Sequence, residues 1–229
     1  MNRTNNVTRS GTEAHAGDER PICLAGSTLG HRCHVCAFFH NPEEEYRVLL
    51  PFMKDALECG QKIVHTVDPK RRNDYLQRLA AEGIDVAALR ETGQFELRDW
   101  HNTHLRDGQF DQHKTLDLFQ GVVRDSREQG FSRIRFVTHM EWAVESGLGV
   151  DDLLAYEARA NGIWDGQEGP VNPVICTYDL TKFGGDVVVD IMRTHPMIII
   201  GGILQENPFY VPTGIFLEEL RQRRAVRLK

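Results

Sequence analysis

Apolar and polar residues follow one another along the chain in a pattern that predicts strands and helices in alternation. Short apolar runs predict buried strands, and apolar residues spaced three and four apart predict amphipathic helices. The strands are predicted at residues 33–39, 62–67, 94–97, 133–138, 173–178 and 197–200. The helices are predicted to begin at Asn41-Pro42, Asp68-Pro69, Asp111, Asp151, Gly184-Gly185 and Pro212. This alternation predicts an α/β fold with a mainly parallel central sheet and helices on both faces.

The helix after the first of these strands has the strongest start signal. Asn41 is placed to cap it, Pro42 fits its first turn, and three consecutive glutamates favour the positive end of the helix dipole. Residues 100–108, by contrast, are polar and rich in histidine. They are predicted to form a loop whose histidines are exposed to solvent.

Composition and charge argue against some classes of protein. The chain has 229 residues, of which 41% are hydrophobic, so it can bury a sizeable core. Residues 1–28 are polar and show no period, and we predict a disordered leader followed by a single domain over residues 29–229. The net charge of −6 argues against nucleic acid as a direct partner. No apolar run approaches the length of a membrane span, so we expect no membrane association and a cytoplasmic location.

Cysteine and histidine are concentrated at the start of the first long strand, and the total of five cysteines favours reduced thiols over disulfides. His31, Cys33, His34 and Cys36 place four metal-ligand side chains within six residues. One alternative is therefore a zinc-binding or thiol-redox centre. In a strand, His34 and Cys36 share a face whereas Cys33 and Cys36 do not, so a metal would need ligands from elsewhere. The other alternative is a buried thiol beside a hydrogen-bonded pocket histidine.

The turn after this strand lacks what a bound nucleotide requires. Residues 39–45 contain no glycine or lysine and carry three carboxylates, which would repel a triphosphate. We therefore expect no ATP binding. An enzyme that retains ATPase chemistry ranks as a hypothesis behind a ligand-binding sensor and a metal or thiol-redox centre. The pairs Gly184-Gly185 and Gly201-Gly202 are predicted to be tight turns.

Other polar side chains are candidate ligand-binding or catalytic groups because of their positions relative to the predicted strands and helices. Glu141 and Trp142 come directly after a middle strand, at the end of the sheet where open α/β folds bind ligands. Glu157 and Asn161 are four residues apart and share one helix face. Each carboxylate is alternatively a solvated or capping group. The chain carries neither a G-x-S-x-G nor an HExxH motif, and we predict a protein without catalytic activity.

Seven short motifs follow one another along the chain. They are His34-Val35-Cys36-Ala37-Phe38-Phe39, Leu50-Pro51-Phe52, Met140-Glu141-Trp142, Tyr156-Glu157-Ala158-Arg159-Ala160-Asn161, Cys176-Thr177-Tyr178-Asp179, His195-Pro196 and Asn207-Pro208-Phe209-Tyr210. Each motif alone is weak, but the ordered series resembles the MEDS family, the methanogen/methylotroph sensory domain. The resemblance covers about residues 29–226.

The resemblance implies a three-layer RecA/KaiC-like fold that has lost its nucleotide loop. It implies a sensory, signal-transduction domain that binds a small, hydrocarbon-derived ligand, which we place at the carboxyl ends of the strands. The positions taken as ligand-binding are His34, Cys36, Glu141, Trp142, Glu157, Asn161, Tyr178 and His195. No helix-turn-helix or kinase module is evident, which predicts a stand-alone domain. Its output is expected to pass through a protein partner (a regulator, a kinase or an anti-sigma-type protein) or through a homo-oligomer.

Overall fold

A seven-stranded sheet forms the centre of the fold. The computed structural model describes residues 20–165 and 169–227, and it confirms an α/β architecture with a mainly parallel sheet. A hairpin of β1 (Ile22–Leu24) and β2 (Ser27–Leu29) precedes this sheet. The strands of the sheet are β3 (His34–Phe39), β4 (Lys62–Val67), β5 (Phe95–Asp99), β6 (Ile134–His139), β7 (Val174–Asp179), β8 (Met197–Ile200) and β9 (Ile203–Glu206). Their order is β5-β4-β6-β7-β3-β8-β9, and only β9 is antiparallel to its neighbour.

Helices connect the parallel strands. They are α1 (Pro42–Glu58), α2 (Arg72–Ala81), α3 (Val86–Glu91), α4 (Gln112–Glu128), α5 (Trp142–Glu145), α6 (Val150–Asp165), α7 (Gly185–Thr194) and α8 (Thr213–Arg227). Within the residues that the structure describes, no helix is both long enough and apolar enough to cross a membrane.

The two faces of the sheet are covered by different helices. On one face, the Arg135 side chain of β6 donates a hydrogen bond to the Phe52 carbonyl of α1 at 2.7 Å, and we call this the α1 face. On the other, Phe136 packs against Phe119 of α4 and Trp164 of α6, and we call this the α6 face. The helices α7 and α8 pack against α6. Because both faces are covered, the central strands are buried throughout, including polar residues such as Lys62, His65 and Arg135.

The structure differs from the predicted leader in its last part. Residues 22–29 form the β1–β2 hairpin, and the side chains of Ile22, Leu24 and Leu29 are buried. Strands of three residues carry almost no periodic signal in a sequence. They are stabilised by packing, here against α1. Residues 1–19 lie outside the described residues.

Other elements escape the sequence pattern because they are short. They are α3, α5, β9 and two 3₁₀ turns at Trp100–Asn102 and Arg106–Gly108, inside the segment predicted as a loop. The tight turn predicted at Gly201-Gly202 is confirmed, with φ of +59° and +76°. Two successive positive φ values match the two-residue turn of a hairpin. The same glycine pair therefore reverses the chain into β9.

The predicted cap of α1 is confirmed and gives a first test. Asn41 Oδ1 accepts a hydrogen bond from the Glu44 backbone N–H at 2.9 Å. We expect Asn41→Ala to lower the free energy of unfolding by about 1 kcal/mol, because that N–H loses its partner. Asn41→Asp should retain most of the stability, since a carboxylate accepts the same bond. Urea unfolding of the three proteins measures both effects, and equal stability of Asn41→Ala and the parent would contradict the prediction.

Candidate functional site

Glu157 lies fully buried at the centre of a polar cluster on the α6 face. The Tyr178 hydroxyl donates a hydrogen bond to Glu157 Oε1 at 2.8 Å. The other oxygen, Oε2, lies 3.3 Å from Nε2 of His34 and 3.2 Å from Nε2 of His195. The His195 ring is not aligned for a hydrogen bond across that distance, so we describe it as a close contact. One oxygen of Glu157 is thus held by a donor, and the other faces two ring nitrogens.

Separate elements bring these side chains together. His34 opens β3, and Cys176 lies in the neighbouring strand β7. Glu157 comes from α6, and His195 directly follows α7. The two strands contribute alternate residues to the α6 face, whereas α6 contributes residues one turn apart. We call His34, Glu157, Cys176 and His195 the four-residue cluster; one nitrogen, oxygen or sulfur atom of each lies within 4.8 Å of the others.

Hydrogen-bond partners fix the tautomers of both histidines. The amide nitrogen of Asn161 donates to the Thr194 carbonyl at 2.8 Å, so Asn161 Oδ1 is free to accept from His34 Nδ1 at 3.1 Å. Nδ1 of His195 lies 3.0 Å from the Ile191 carbonyl, which can only accept. Each Nδ1 therefore carries the hydrogen, and in the neutral ring each Nε2 presents a lone pair. Each Nε2 faces Glu157 Oε2, where a proton can be shared between ring and carboxylate.

Two buried thiols adjoin the carboxylate. The Cys176 Sγ lies 3.4 Å from His34 Nε2 and 3.7 Å from Glu157 Oε2. Cys36 is the register partner of Cys176 on β3 and shares the α6 face, and its Sγ approaches the Met197 carbonyl at 3.7 Å. Burial, reinforced by the charge of Glu157, raises the pKa of both thiols well above the usual range. Both thiols therefore keep their protons in the absence of a stronger charge.

The cluster holds a negative charge in the core. Burial raises the pKa of Glu157, but the nearby ring nitrogens of His195 and His34 outweigh it and the net pKa is well below the usual range. Burial and the neighbouring His34 lower the pKa of His195. The carboxylate is therefore ionised beside a neutral His195. An ionised carboxylate among imidazole and thiol groups is also a set of ligands that a metal cation can use.

A small cavity borders the cluster. His34, Glu157 and Cys176 form its polar end, and the remaining wall is mostly apolar. That wall includes Leu116, Phe119, Phe136, Tyr156, Ala160, Ile163, Trp164 and Val174. The cavity volume is about 10 Å³, close to the lower limit for one water molecule. In this conformation the cavity therefore has room for a single small species and not for a larger organic molecule.

Six of the eight residues proposed from sequence as ligand-binding lie in or beside this cluster on the α6 face. They are His34, Cys36, Glu157, Asn161, Tyr178 and His195. Their position differs from the expected one, since His34 begins its strand and does not end it. The reason is that side chains of covered strands meet the helices along the whole strand length. The cluster therefore lies beneath α6, away from the carboxyl edge of the sheet.

Glu141 and Trp142 are the two proposed residues that lie elsewhere. Glu141 follows β6, and its Oε1 accepts a hydrogen bond from the Asp179 backbone N–H at 3.0 Å. The ring of Trp142 stacks on His104 with 4.5 Å between centroids. His104 is buried, contrary to the expected exposure of the loop histidines, because this aromatic contact covers it.

The metal-ligand set proposed from sequence is not brought together. His31 is exposed before β3, whereas Cys33 and His34 are buried. Among the described residues, the group with metal-ligand spacing shares only His34 with that set. The reason is that consecutive residues of an extended chain point in different directions, so a compact group needs ligands from separate elements. Cys176 stands in one of the seven motifs but is not among the predicted site residues, and the pairing of β3 with β7 places it here.

A second buried polar group lies on the α1 face and has no clear signal in the sequence. Glu45 of α1 contacts His139 Nε2 at 2.7 Å and Arg71 Nη1 at 2.8 Å. His139 Nδ1 accepts a hydrogen bond from the Asp68 backbone N–H at 3.2 Å. Glu45 is one of the three glutamates at the start of α1, where the sequence predicts only an interaction with the helix dipole. The side chain of Glu45 enters the core because of its position around the helix axis, and not because of its residue type.

The fold and the cluster define a class of protein: an α/β domain with a mainly parallel sheet and a polar centre rich in metal-ligand side chains. The family model described as the MEthanogen/methylotroph, DcmR Sensory domain matches residues 33–196, well over half of the chain. The chain therefore belongs to the MEDS family of sensory domains.

Two proteins illustrate the similarity. The transcriptional repressor DcmR of Methylorubrum extorquens (strain DSM 6343 / CIP 106787 / DM4) is 21% identical over 172 residues, which cover 75% of this chain and 61% of the repressor. The chain thus spans less than two thirds of the length of that repressor. The crystal structure of the flagellar accessory protein FlaH from Methanocaldococcus jannaschii is 12% identical, with a TM-score of 0.46, and the match covers 79% of this chain and 78% of that one.

Proposed function

We propose that this chain is a non-catalytic sensory domain that binds a small molecule at the cavity on the α6 face and signals through a protein partner. The observation that carries the proposal is the buried carboxylate of Glu157 beside an apolar cavity. Burying an ionised group opposes folding unless partners compensate it, and an apolar pocket with few converging polar groups is the usual form of a ligand site. Membership of a sensory family and similarity to a repressor support the signalling role.

The cavity lining indicates the class of ligand. Aromatic and aliphatic side chains form most of the wall, and His34, Glu157 and Cys176 supply polar groups together with the hydroxyl-bearing Thr138 and Tyr156. Such a lining favours a small hydrocarbon derivative whose single polar group faces Glu157 and His34. A molecule of several heavy atoms exceeds the present volume, so its binding would require the α6 wall of the cavity to move.

Movement of α6 offers a route to the protein surface. This helix packs against α7 and α8, and the Arg224 and Arg227 side chains of α8 pair with Asp152 and Asp151 at 2.8 and 3.1 Å. A ligand that favours the displaced position of α6 would shift the population of a second state, which is the thermodynamic requirement for signalling. The C-terminal helix α8 is therefore the element through which we expect a partner to detect the ligand.

Exposed apolar side chains support a protein as the receiver of the signal. Ile200 and Ile203 flank the turn of the β8–β9 hairpin, and Phe209 follows it; all three are exposed. The net charge of −6 disfavours direct contact with nucleic acid. The odd number of cysteines supports a reducing compartment, and we place the protein in the cytoplasm on that basis.

The thiol-redox alternative has weaker support. Reactive cysteines require a lowered pKa and access to solvent. Cys36 and Cys176 are both buried, and burial raises the pKa of each. We therefore expect slow alkylation of both thiols in the folded protein.

A cavity-filling variant tests the ligand proposal. The probes are short alcohols, alkyl amines and halomethanes, titrated into ¹⁵N-labelled protein and followed by NMR. We expect saturable shifts of the Ala160, Ile163 and Trp164 amides, and a Kd raised at least about tenfold by Ala160→Val, because the added methyl groups occupy the cavity. Ala56→Val is the matched control, since Ala56 is equally buried but lies in α1 on the opposite face.

Two results would contradict the proposal. One is the absence of any saturable shift at these amides across the whole set of probes. The other is an equal loss of affinity in Ala160→Val and Ala56→Val, which would indicate a general effect of overpacking and not a filled cavity.

A further inference from the structure

The four-residue cluster gathers buried metal-ligand atoms from separate segments of the chain at short distances. In their neutral Nδ1–H tautomers His34 and His195 present Nε2 as an acceptor, and each Nε2 lies 3.2–3.3 Å from Glu157 Oε2. The Cys176 thiol can donate its single proton to His34 Nε2 at 3.4 Å or to Glu157 Oε2 at 3.7 Å. His195 Nε2 is fully buried and has no hydrogen-bond partner. A cation among these atoms would give His195 Nε2 the partner that it lacks.

We propose that His34 Nε2, His195 Nε2, Glu157 Oε2 and Cys176 Sγ form a site for a divalent transition-metal ion, with zinc as the ion that fits best. The inference deepens the proposed function and rests on its site, because it names what would occupy the polar end of the cavity. Two imidazoles, one carboxylate and one thiolate are all zinc ligands, and this mixture is too soft for magnesium or calcium.

The spacing of the four ligand atoms matches a tetrahedral site. With bonds of about 2.0–2.3 Å, neighbouring ligands of a tetrahedral zinc ion lie about 3.3–3.7 Å apart. The four separations around His34, Glu157, Cys176 and His195 that join nitrogen, oxygen and sulfur are 3.2, 3.3, 3.4 and 3.7 Å. The remaining separations do not exceed 4.8 Å. An ion would therefore need only a small contraction of the cluster.

Supporting hydrogen bonds orient three of the four ligands, His34, His195 and Glu157, as they do in known metal sites. Asn161 holds the Nδ1–H of His34, and the Ile191 carbonyl holds that of His195. Tyr178 holds the other oxygen of Glu157, so Oε2 alone faces the site. Outer partners of this kind fix the ring orientation and the tautomer of ligating histidines.

A cobalt titration tests the site directly. The reduced chain is stripped with a chelator and titrated with Co²⁺ in the absence of any organic ligand. We expect one ion per chain, with the intense visible bands of a four-coordinate ion and a near-ultraviolet thiolate-to-cobalt absorption. Cys176→Ser should lose the near-ultraviolet absorption, whereas Cys36→Ser should keep it. These two thiols are matched, because they are buried register partners on neighbouring strands.

Zinc competition against a chromophoric chelator gives the affinities. We expect His195→Ala and Asn161→Ala each to weaken zinc binding at least about tenfold, the first by removing a ligand and the second by releasing His34. Binding to the parent protein should also release protons, since the Cys176 thiol must ionise to bind. Calorimetry in buffers of different ionisation enthalpy measures that release without any variant, so a variant that fails to fold does not decide the test.

The outcomes separate this inference from the proposed function. Less than one tenth of an equivalent of bound cobalt or zinc, or loss of the near-ultraviolet band in Cys36→Ser but not in Cys176→Ser, would overturn the metal site. The NMR titration with organic probes would be unaffected by that result. Conversely, a bound ion in a protein that binds none of those probes would leave the metal site intact and remove the small-molecule proposal.

Discussion

Replacing Glu157 by alanine should lower the free energy of unfolding by about 3 kcal/mol, measured by urea unfolding of the metal-free protein at pH 7. The substitution removes the acceptor of the buried Tyr178 hydroxyl, and an unsatisfied buried polar group costs about 1–3 kcal/mol. It also leaves a void beside His34 and Cys176 that the packed core cannot fully close. Removal of a buried charge offsets part of this loss, which is why we expect about 3 kcal/mol and not more.

Glu157→Gln is the matched control for this prediction. The amide keeps the volume of the side chain and presents an oxygen that accepts from Tyr178, so we expect a loss of about 1 kcal/mol. If Glu157→Ala were as stable as the parent, the cluster would contribute nothing to folding. A loss of equal size in both variants would show instead that the charge, and not the hydrogen bond and the packing, determines the stability of this region.

Replacing Glu45 by glutamine should lower the free energy of unfolding by about 3 kcal/mol at pH 7. In the variant, the free energy of unfolding should also change much less between neutral and acid pH. Burial raises the pKa of Glu45, but the charges and hydrogen bonds of His139 and Arg71 outweigh it and lower the pKa from 4.5 to about 2. Because one pKa unit corresponds to about 1.4 kcal/mol, this lowering corresponds to about 3 kcal/mol of stability.

The direction of the pKa change determines how the stability difference between parent and variant varies with pH. A carboxylate whose folded pKa is lowered stabilises the protein above its unfolded pKa and loses that contribution as the pH falls through the folded value. The difference between parent and Glu45→Gln should therefore be full above about pH 5 and should vanish near pH 2. Glu43→Gln, on the same helix turn but exposed, should change the curve little. If the difference in free energy of unfolding between the parent and Glu45→Gln did not change with pH, the lowered pKa of Glu45 would be contradicted.

Secondary structure could be predicted wherever one local pattern was sufficient. The strand at 62–67 coincides with β4, and the strand at 197–200 coincides with β8. Asn41 caps α1 because capping depends on the residue type and on backbone atoms three positions away. The β1–β2 hairpin, α3 and β9 could not be predicted in the same way. Their residues have weak periodicity, and they are held by packing against other elements.

The residues of the site could be predicted from the sequence more readily than the geometry of the site. His34, Glu157, Asn161, Tyr178 and His195 stand in motifs that resemble the MEDS family, whose model also matches the chain. The motifs did not indicate that Cys176 completes the group, that Cys33 and His31 stay outside it, or that Glu45 enters the core. Those outcomes depend on strand order and on the register of β3 with β7.

Residue types and their local spacing are sufficient to predict the alternation of strands and helices, the absence of a glycine-rich nucleotide loop between residues 39 and 45, and the residue types available for a buried polar centre. Which of those residues meet depends on long-range packing. His34 and Cys176 are neighbours because β3 pairs with β7, and Glu157 reaches them because α6 covers that face. The physical reason is that residue type and local spacing set each segment's conformation, whereas convergence of side chains at 3–4 Å depends on long-range packing.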